Sequence, residues 1–352
     1  MHAIAHFLSQ AAHITPSPDN TQPWQLLWEN DMLSVKFDAQ RVANLTFPAD
    51  SHATLLTMGA LSENIFQAAT AVDAQLDWLL PAKLDVHDPV YFQTSINKMG
   101  ATQIPALETI PLFLRHTNRH PYQRRDLPPE CIFQLKKLSQ DSARILVFED
   151  KAAIHNIAKL VQKAADIRFQ TQEVHAWLAK SLRFNTLSTD QYGEGLDVTT
   201  LDLPPGGQLF LRLISDWRRM NWLNKLGTYK AMAMIDSQPV GKAPLVIAVV
   251  GPSGFKETMS AGRLMNRAWI GLNQQGIAAH PYYVITDQLQ RRQTHSVPLH
   301  LNKLADTVFE QTQQLFQLND DENLHMLFRA GYPVKTAVKS KRLPLETVCL
   351  EH

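Results

Sequence analysis

Six consecutive apolar residues, Leu245-Val246-Ile247-Ala248-Val249-Val250, constrain this chain more than any other stretch. A strand with one face in water alternates apolar and polar side chains, whereas an unbroken β-branched run reads as a strand buried on both faces. A sheet holding such a strand must be covered on each side, which asks for a layered fold with a large core. The material is available: 45% of the 352 residues are hydrophobic and 19% are charged, against about 25% charge in an ordinary soluble chain. Disordered, collagen-like and coiled-coil classes are excluded. The length fits two domains at roughly 100–200 residues each, or one large barrel.

The same run bounds the membrane question. It is the longest uninterrupted apolar run in the sequence, and a spanning helix needs about 20 such residues, so no transmembrane segment is expected. Thirty-four Lys and Arg against 33 Asp and Glu give a net charge of +1. That supplies no long-range field toward nucleic acid or an acidic membrane, so any basic site must be local. Cys131 and Cys349 lie far apart with no CxxC or CxxH spacing, which supports neither a disulfide scaffold nor a zinc site and makes a reducing, cytoplasmic setting the simplest. The N-terminal residues read as the first turn of an amphipathic helix and not as a signal peptide. Residues 350–352 read as the stub of an expression tag.

Along the chain, Ile4, Phe7, Leu8 and Ala11 mark a first amphipathic helix that Pro16 and Pro18 must end. Short β-type runs at 24–29 and 33–38 flank the turn Asn30-Asp31 as a hairpin. Helical spacing covers 54–72, and a strand is expected at 76–80. Residues 81–101, with Pro81, Pro89 and Gly100, read as the connection between two halves. Beyond it, helices are expected at 128–138, 151–165, 170–182, 208–225, 258–275 and 301–316, and strands at 145–148, 245–250 and 282–286. The helix at 208–225 carries Leu209, Leu213, Trp217 and Met220 on one side. Residues 186–207, rich in Gly and Pro, are too long for a mere connection and read as a lid. Thr57-Met58-Gly59-Ala60-Leu61 and Ser260-Ala261-Gly262-Arg263-Leu264 echo each other, each within a long helix that leads into a strand.

Several chemistries have no foothold. There is no GxGxxG before a helix, no GxxxxGK[ST] and no HExxH, and Gly251-Pro252-Ser253-Gly254-Phe255 misses the GxSxG elbow at its last position. His2/His6 and His116/His120 have i,i+4 spacing without a third ligand and read as surface histidines.

Two segments stand out. In an extended Arg115-His116-Thr117-Asn118-Arg119, side chains alternate, so Arg115, Thr117 and Arg119 project together. Two guanidiniums and a hydroxyl suit a phosphate dianion; the alternative is a solvated basic loop. In Thr15-Pro16-Ser17-Pro18-Asp19-Asn20-Thr21-Gln22-Pro23-Trp24, a stiff double-proline turn presents Ser17, Asn20 and Gln22 beside a Trp. Amides offer donors and acceptors together, as the edge of a heteroaromatic ring requires; the alternative is a capped helix end over a core Trp.

These residues resemble a known family. Pro16-Ser17-x-x-Asn20-x-Gln22-Pro23-Trp24 is similar to the PSxxNxQPW signature of FMN-dependent nitroreductases, and Arg115-x-Thr117-x-Arg119 to their RxSxR phosphate motif with Thr for Ser. Gly331-Tyr332-Pro333 and the stretch from Lys341 to Glu346 resemble that family's closing strand and basic tail, and His280-Pro281 falls where it has the loop beside the flavin ring. The motif order is reversed relative to ordinary members, as in the Acg-like subgroup, where one chain mimics a dimer.

The resemblance implies an α+β fold, a nitroreductase-like three-layer α-β-α sandwich, with two fused halves forming a pseudo-dimer. The halves would be residues 1–100, carrying the turn, and 101–349, carrying the arginine motif, the lid and the tail. It further implies one FMN per chain, with NAD(P)H as donor and a nitroaromatic or quinone acceptor. Carried over, Arg115, Thr117, Arg119 and Arg342 would hold the phosphate and ribityl chain, with Lys341 or Lys339 as a second basic tail residue. Ser17 and Asn20 would meet the ring, Pro16 and Pro18 would shape the turn, and Gln22, His280, Pro281 and Tyr282 would complete the site. No catalytic side chain and no metal are required, since the flavin carries the chemistry. The ring-side loop lacks the Glu-Gly pair of many active members, so the alternative is an FMN-binding or sequestering protein of little turnover under a closed lid. The partners would be small molecules, without nucleic acid or membrane.

Overall fold

A computed structural model describes residues 2–42, 47–100, 103–184 and 193–351. Two five-stranded sheets lie on either side of a pair of long helices. Helix α1 (His2–His13) leads through the proline turn into the hairpin β1 (Trp24–Glu29) and β2 (Met32–Phe37), then into α2 (His52–Ala71), β3 (Ala74–Leu79) and β4 (Val90–Met99). Ser51 caps α2 by accepting the Thr54 N–H, satisfying one of its free amide donors. Residues 90–99 are not a connection: Pro89 and Gly100 bound a strand that pairs with both β2 and β3, Phe92 opposite Val35, Ile96 opposite Leu76, and Thr94 between Leu33 and Trp78.

The second sheet starts after α3 (Pro129–Lys137) with β5 (Ser139–Gln140) and β6 (Ala143–Phe148). Helices α4 (Lys151–Arg168) and α5 (Gln172–Ser181) follow, then a short parallel pair, β7 (Leu182–Arg183) with β8 (Leu196–Asp197). Next come α6 (Gly207–Ile214), α7 (Trp217–Asn224) and α8 (Thr228–Gly241). Asp216 caps α7 and splits the helix expected at 208–225, so the residues expected on one side part company: Met220 is buried, but Leu209 and Leu213 face solvent. Strand β9 (Leu245–Pro252), α9 (Phe255–Gln274), β10 (Ala278–Tyr282), α10 (Val284–Gln293), α11 (Asn302–Phe316), β11 (Glu322–Gly331) and β12 (Cys349–Glu351) complete the order. The strand expected at 282–286 is thus two elements: β10 ends at Tyr282, and residues 284–286 open a helix.

The sheet orders are β12-β1-β2-β4-β3 and β10-β11-β9-β6-β5. Leu245–Pro252 is buried along nearly its whole length, with α9 and α3 on one face and α4, α8, α10 and α11 on the other. This is the α-β-α sandwich. The first sheet is packed on one face only, against α1 and α2, as the alternating burial of β1 and β3 reflects. Its outer strand β12 comes from the far end of the chain and pairs in parallel with β1, Leu27 opposite Leu350, so residues 350 and 351 take part in the fold.

Helices α2 and α9 cross at two glycines. A Cβ on Gly59 would lie 2.0 Å from the Met259 carbonyl oxygen, and one on Gly262 would lie 2.2 Å from that of Leu56. The contacts are reciprocal, each glycine meeting the residue three before the other. Around the crossing, Asn266 donates to Asn64 Oδ1 (2.7 Å) and the Ala60 carbonyl (3.0 Å), and buried Glu63 accepts from Arg267 (2.8 Å) and Arg263 (3.3 Å). Among the described residues no helix is long and apolar enough to cross a membrane.

Candidate functional site

A cavity of about 1710 Å³ lies where the proline turn, residues 115–119, β10 and the tail before β12 converge. The turn reaches it through three residues in the left-handed region, interrupted by Thr21 at φ −73°. Asp19, Asn20 and Gln22 all have positive φ, at 47°, 58° and 51°, a region that Asn and Asp tolerate better than Gln. Gln22 is held there by its own side chain: Nε2 donates to the Gly193 and Asn20 carbonyls (3.0 and 3.2 Å), and Oε1 accepts the Leu343 N–H (3.2 Å). Its backbone N–H meets Ser17 Oγ at 2.9 Å. Trp24 packs beneath the turn, fully buried.

Residues 115–119 run extended beside β10. Thr117 bridges Ala279, and the Asn118 N–H donates to the Ala279 carbonyl (3.1 Å). The Asn118 side chain turns the other way, onto the Lys335 carbonyl and the His120 N–H. Arg115, Thr117 and Arg119 line the cavity. Arg115 is buried, lies over the Trp269 ring at 4.7 Å and donates to the Ile14 carbonyl at 2.9 Å. Arg342, from the tail, donates to the same carbonyl (3.2 Å) and to Asn20 Oδ1 (2.9 Å).

Among the described residues, none of Arg115, Arg119 and Arg342 forms an ion pair with a carboxylate, and the buried Nε of Arg115 has no hydrogen-bond partner. Burial, with Arg342 adding a like charge, lowers the Arg115 pKa to about 9; burial lowers that of Arg342 to about 10. Both remain cationic at neutral pH. Unpaired buried guanidiniums are costly unless an anion joins them.

Arg119 is positioned from behind. Arg329 on β11, nearly fully buried, donates to the Arg119 carbonyl (2.6 Å) and the His120 carbonyl (3.2 Å), and lies 4.3 Å over the Tyr122 ring. Its Nε donates to His280 Nδ1 at 3.3 Å. His280 is therefore neutral: burial first, then Arg119 and Arg329, hold its pKa well below the usual imidazole range.

Eleven of the thirteen residues expected from the sequence line this cavity: Pro16, Ser17, Pro18, Asn20, Arg115, Thr117, Arg119, His280, Pro281, Tyr282 and Arg342. Two do not. Gln22 spends its amide inside the turn, and Lys341 offers its carbonyl to Asn20 Nδ2 (2.8 Å), while Lys339 takes the cavity position and donates to the Phe113 carbonyl (2.8 Å). Asn20 lines the cavity, and its amide also bonds Arg342 and the Lys341 carbonyl, which orders the turn against the tail. His280 and Pro281 belong to strand β10, an edge strand that can hold a proline, and not to a loop. His116 and His120 are half-buried and not surface histidines: Nδ1 of His116 bonds the Leu114 carbonyl, and that of His120 lies 2.8 Å from Asp202. Of the expected lid, residues 186–192 lie outside the described residues; Leu196 and residues 201–204 line the cavity.

Sequence reasoning missed a buried relay beside the cavity. His325 Nε2 faces the Gly251 and Pro252 carbonyls at 3.1 Å and so must carry a proton. Its Nδ1 then accepts from His52 Nε2 (2.9 Å), and His52 Nδ1 accepts from the Tyr283 hydroxyl (3.0 Å). Tyr283 lines the cavity. Burial keeps both imidazoles neutral, His52 with a further push from His325, and His325 down to about 4 against the upward pull of the two carbonyls. The partners are 231 and 273 residues apart in sequence, so no local pattern could have found them.

No protein-family profile matches the chain. An uncharacterized protein of Mycobacterium tuberculosis, MT1398, is 22% identical over 284 residues, 79% of this chain. The chain spans 38% of that relative's length. Similar solved structures include a nitroreductase with bound FMN from Bacteroides fragilis (8% identity, 68% of this chain and 96% of that one, TM-score 0.40). Others are the FMN-dependent nitroreductase NfnB from Mycobacterium smegmatis in complex with NADPH (14%, 67% and 94%, TM-score 0.38) and a BluB-like flavoprotein from Clostridium difficile (12%, 68% and 96%, TM-score 0.37). Similarity at this level assigns no chemistry to this chain.

Proposed function

We propose that the chain is an FMN-dependent oxidoreductase of the nitroreductase type, two fused halves that share one flavin site. The observation that carries this reading is the placement of Arg115, Arg119 and Arg342 around one cavity: among the described residues none of them is in an ion pair, Arg115 and Arg342 are buried beside each other with the Arg115 Nε unpartnered, and only Arg119 has a carboxylate, that of Asp19, acting on it. That donor set suits a phosphate dianion, which guanidiniums bind bidentately. Lys339 adds a cation and Thr117 a hydroxyl to the same end. The proline turn from the first half and the tail from the second close over it, locked by the Asn20–Arg342 and Gln22–Leu343 bonds. The reciprocal glycine crossing supports the fused-halves reading, since two copies of one helix packed about a dyad would make that contact twice.

When bound, FMN would supply the redox chemistry between NAD(P)H and a nitroaromatic or quinone acceptor. The chain's own residues hold and orient. Arg115, Arg119 and Arg342 anchor the phosphate, Ser17 and the β10 residues His280 to Tyr282 form the walls, and neutral His280 adds no charge. The test is retention of FMN. Replacing Arg115 and Arg119 with Ala removes two charge-assisted contacts of about 1.5–3 kcal/mol each, so FMN affinity should fall at least a hundredfold; unchanged retention would dismiss the assignment.

One observation favours a second reading, a flavin-binding protein of little turnover. Leu196 and residues 201–204 line the cavity, and the Gly193 carbonyl accepts from Gln22, so the described part of this segment is fastened to the turn. Rapid anaerobic bleaching of the flavin by NAD(P)H, with repeated turnover of a quinone, decides for the enzyme; its absence decides for the binding protein.

A further inference from the structure

Helices α6, α7 and α8 expose apolar side chains of a size that a water-facing lid does not need. Leu209 is 72% exposed, Leu226 71% and Trp222 61%, joined by Phe210 and Leu213. On α6, Leu209, Phe210 and Leu213 share one exposed side of the helix, while Leu211 and Ile214 turn inward, so the apolar arc is wider than packing against the protein alone needs, with Gln208 and Arg212 on the remaining side. A helix of that kind asks for an apolar partner on its open side.

The charge around it says which partner. Residues 207–241 carry Arg212, Arg218, Arg219, Lys225 and Lys230, all exposed, against Asp216 and Asp236, the latter half-buried and paired with Arg168 at 3.7 Å. On α7, Trp222 stands between Arg218 and Arg219 on the outward side. Two copies of so basic a face would repel each other, which argues against self-pairing. An interfacial element with Leu, Phe and Trp interleaved with Lys and Arg suits the surface of an anionic bilayer, where the rings sit at headgroup level.

We propose that α6 to α8 form a docking face for anionic membrane surfaces. The net charge of the whole chain is near zero, so the attraction is local to this face. Phe210 and Ile235 are exposed and also line the cavity, so the cavity opens on the docking face and a lipophilic ligand could enter it directly from lipid. The inference does not depend on what the cavity holds.

The test is flotation of the full chain with phosphatidylcholine vesicles, with and without phosphatidylglycerol. The account expects binding to the anionic vesicles, weakened by added salt. Arg218→Glu with Arg219→Glu, and separately Leu209→Ser with Trp222→Ser, should each lower the partition coefficient roughly tenfold or more. None of these four residues lines the cavity. Three results would overturn the proposal: no binding to either vesicle, equal binding to both, or sedimentation showing a dimer that the Leu209/Trp222 variant disperses while vesicles are ignored.

Discussion

Arg115 and Arg342 share the carbonyl of Ile14 although they stand more than two hundred residues apart. Each is a cation buried beside another, an arrangement that folding alone disfavours and that an anion would relieve. Arg342→Ala should therefore weaken FMN binding and at the same time loosen the turn, because it also removes the bond to Asn20 Oδ1. Equilibrium dialysis and the melting temperature without ligand separate the two effects. The histidine relay gives a different prediction. An unfolded imidazole titrates near 6.5, while His325 in the fold titrates near 4 and His52 lies below its ordinary value. The unfolded chain binds more protons between those values, so stability is fully present above about pH 6.5 and is lost as pH falls toward 4, by up to about 1.36 kcal/mol per pH unit for each group. Urea unfolding at pH 7 and pH 5 checks this; His325→Asn should be less stable at pH 7 yet show a flatter dependence, and an identical slope would contradict the assignment.

The crossing of α2 and α9 is the tightest feature among the elements. A methyl at Gly59 or Gly262 would press into a backbone carbonyl that cannot rotate away. Gly262→Ala should cost stability at or above the upper end of the roughly 1–3 kcal/mol typical of overpacking, visible as a fall in melting temperature, with Gly59→Ala doing the same. The sequence echo around these glycines was legible as a pattern, but its meaning lay in the contact. Other elements show the same division. The run Leu245 to Val250 declared its burial because both faces are apolar. Strand β4 was hidden by its flanking Pro89 and Gly100, which bound it and do not replace it. Helix α8 contains Pro239 and lacks a strong apolar stripe, so it left little trace. The arginine motif was readable because its alternation is local, whereas which tail lysine lines the cavity, Lys339, depends on how the tail crosses Arg115.

At the scale of the whole molecule, the chain interleaves its two ends. The strand Cys349–Glu351 pairs with β1, and the tail before it closes the turn of the first half. The cavity is built from both ends of the chain, so on the proposed reading neither residues 1–100 nor residues 101–349 should bind flavin alone. The most direct measurement is the visible absorption spectrum of the purified full chain with its flavin content per chain, before and after addition of FMN. The account expects a yellow protein saturating at one FMN per chain, with a raised melting temperature on loading. Two flavins per chain, or a colourless protein whose melting temperature FMN does not move, would contradict it.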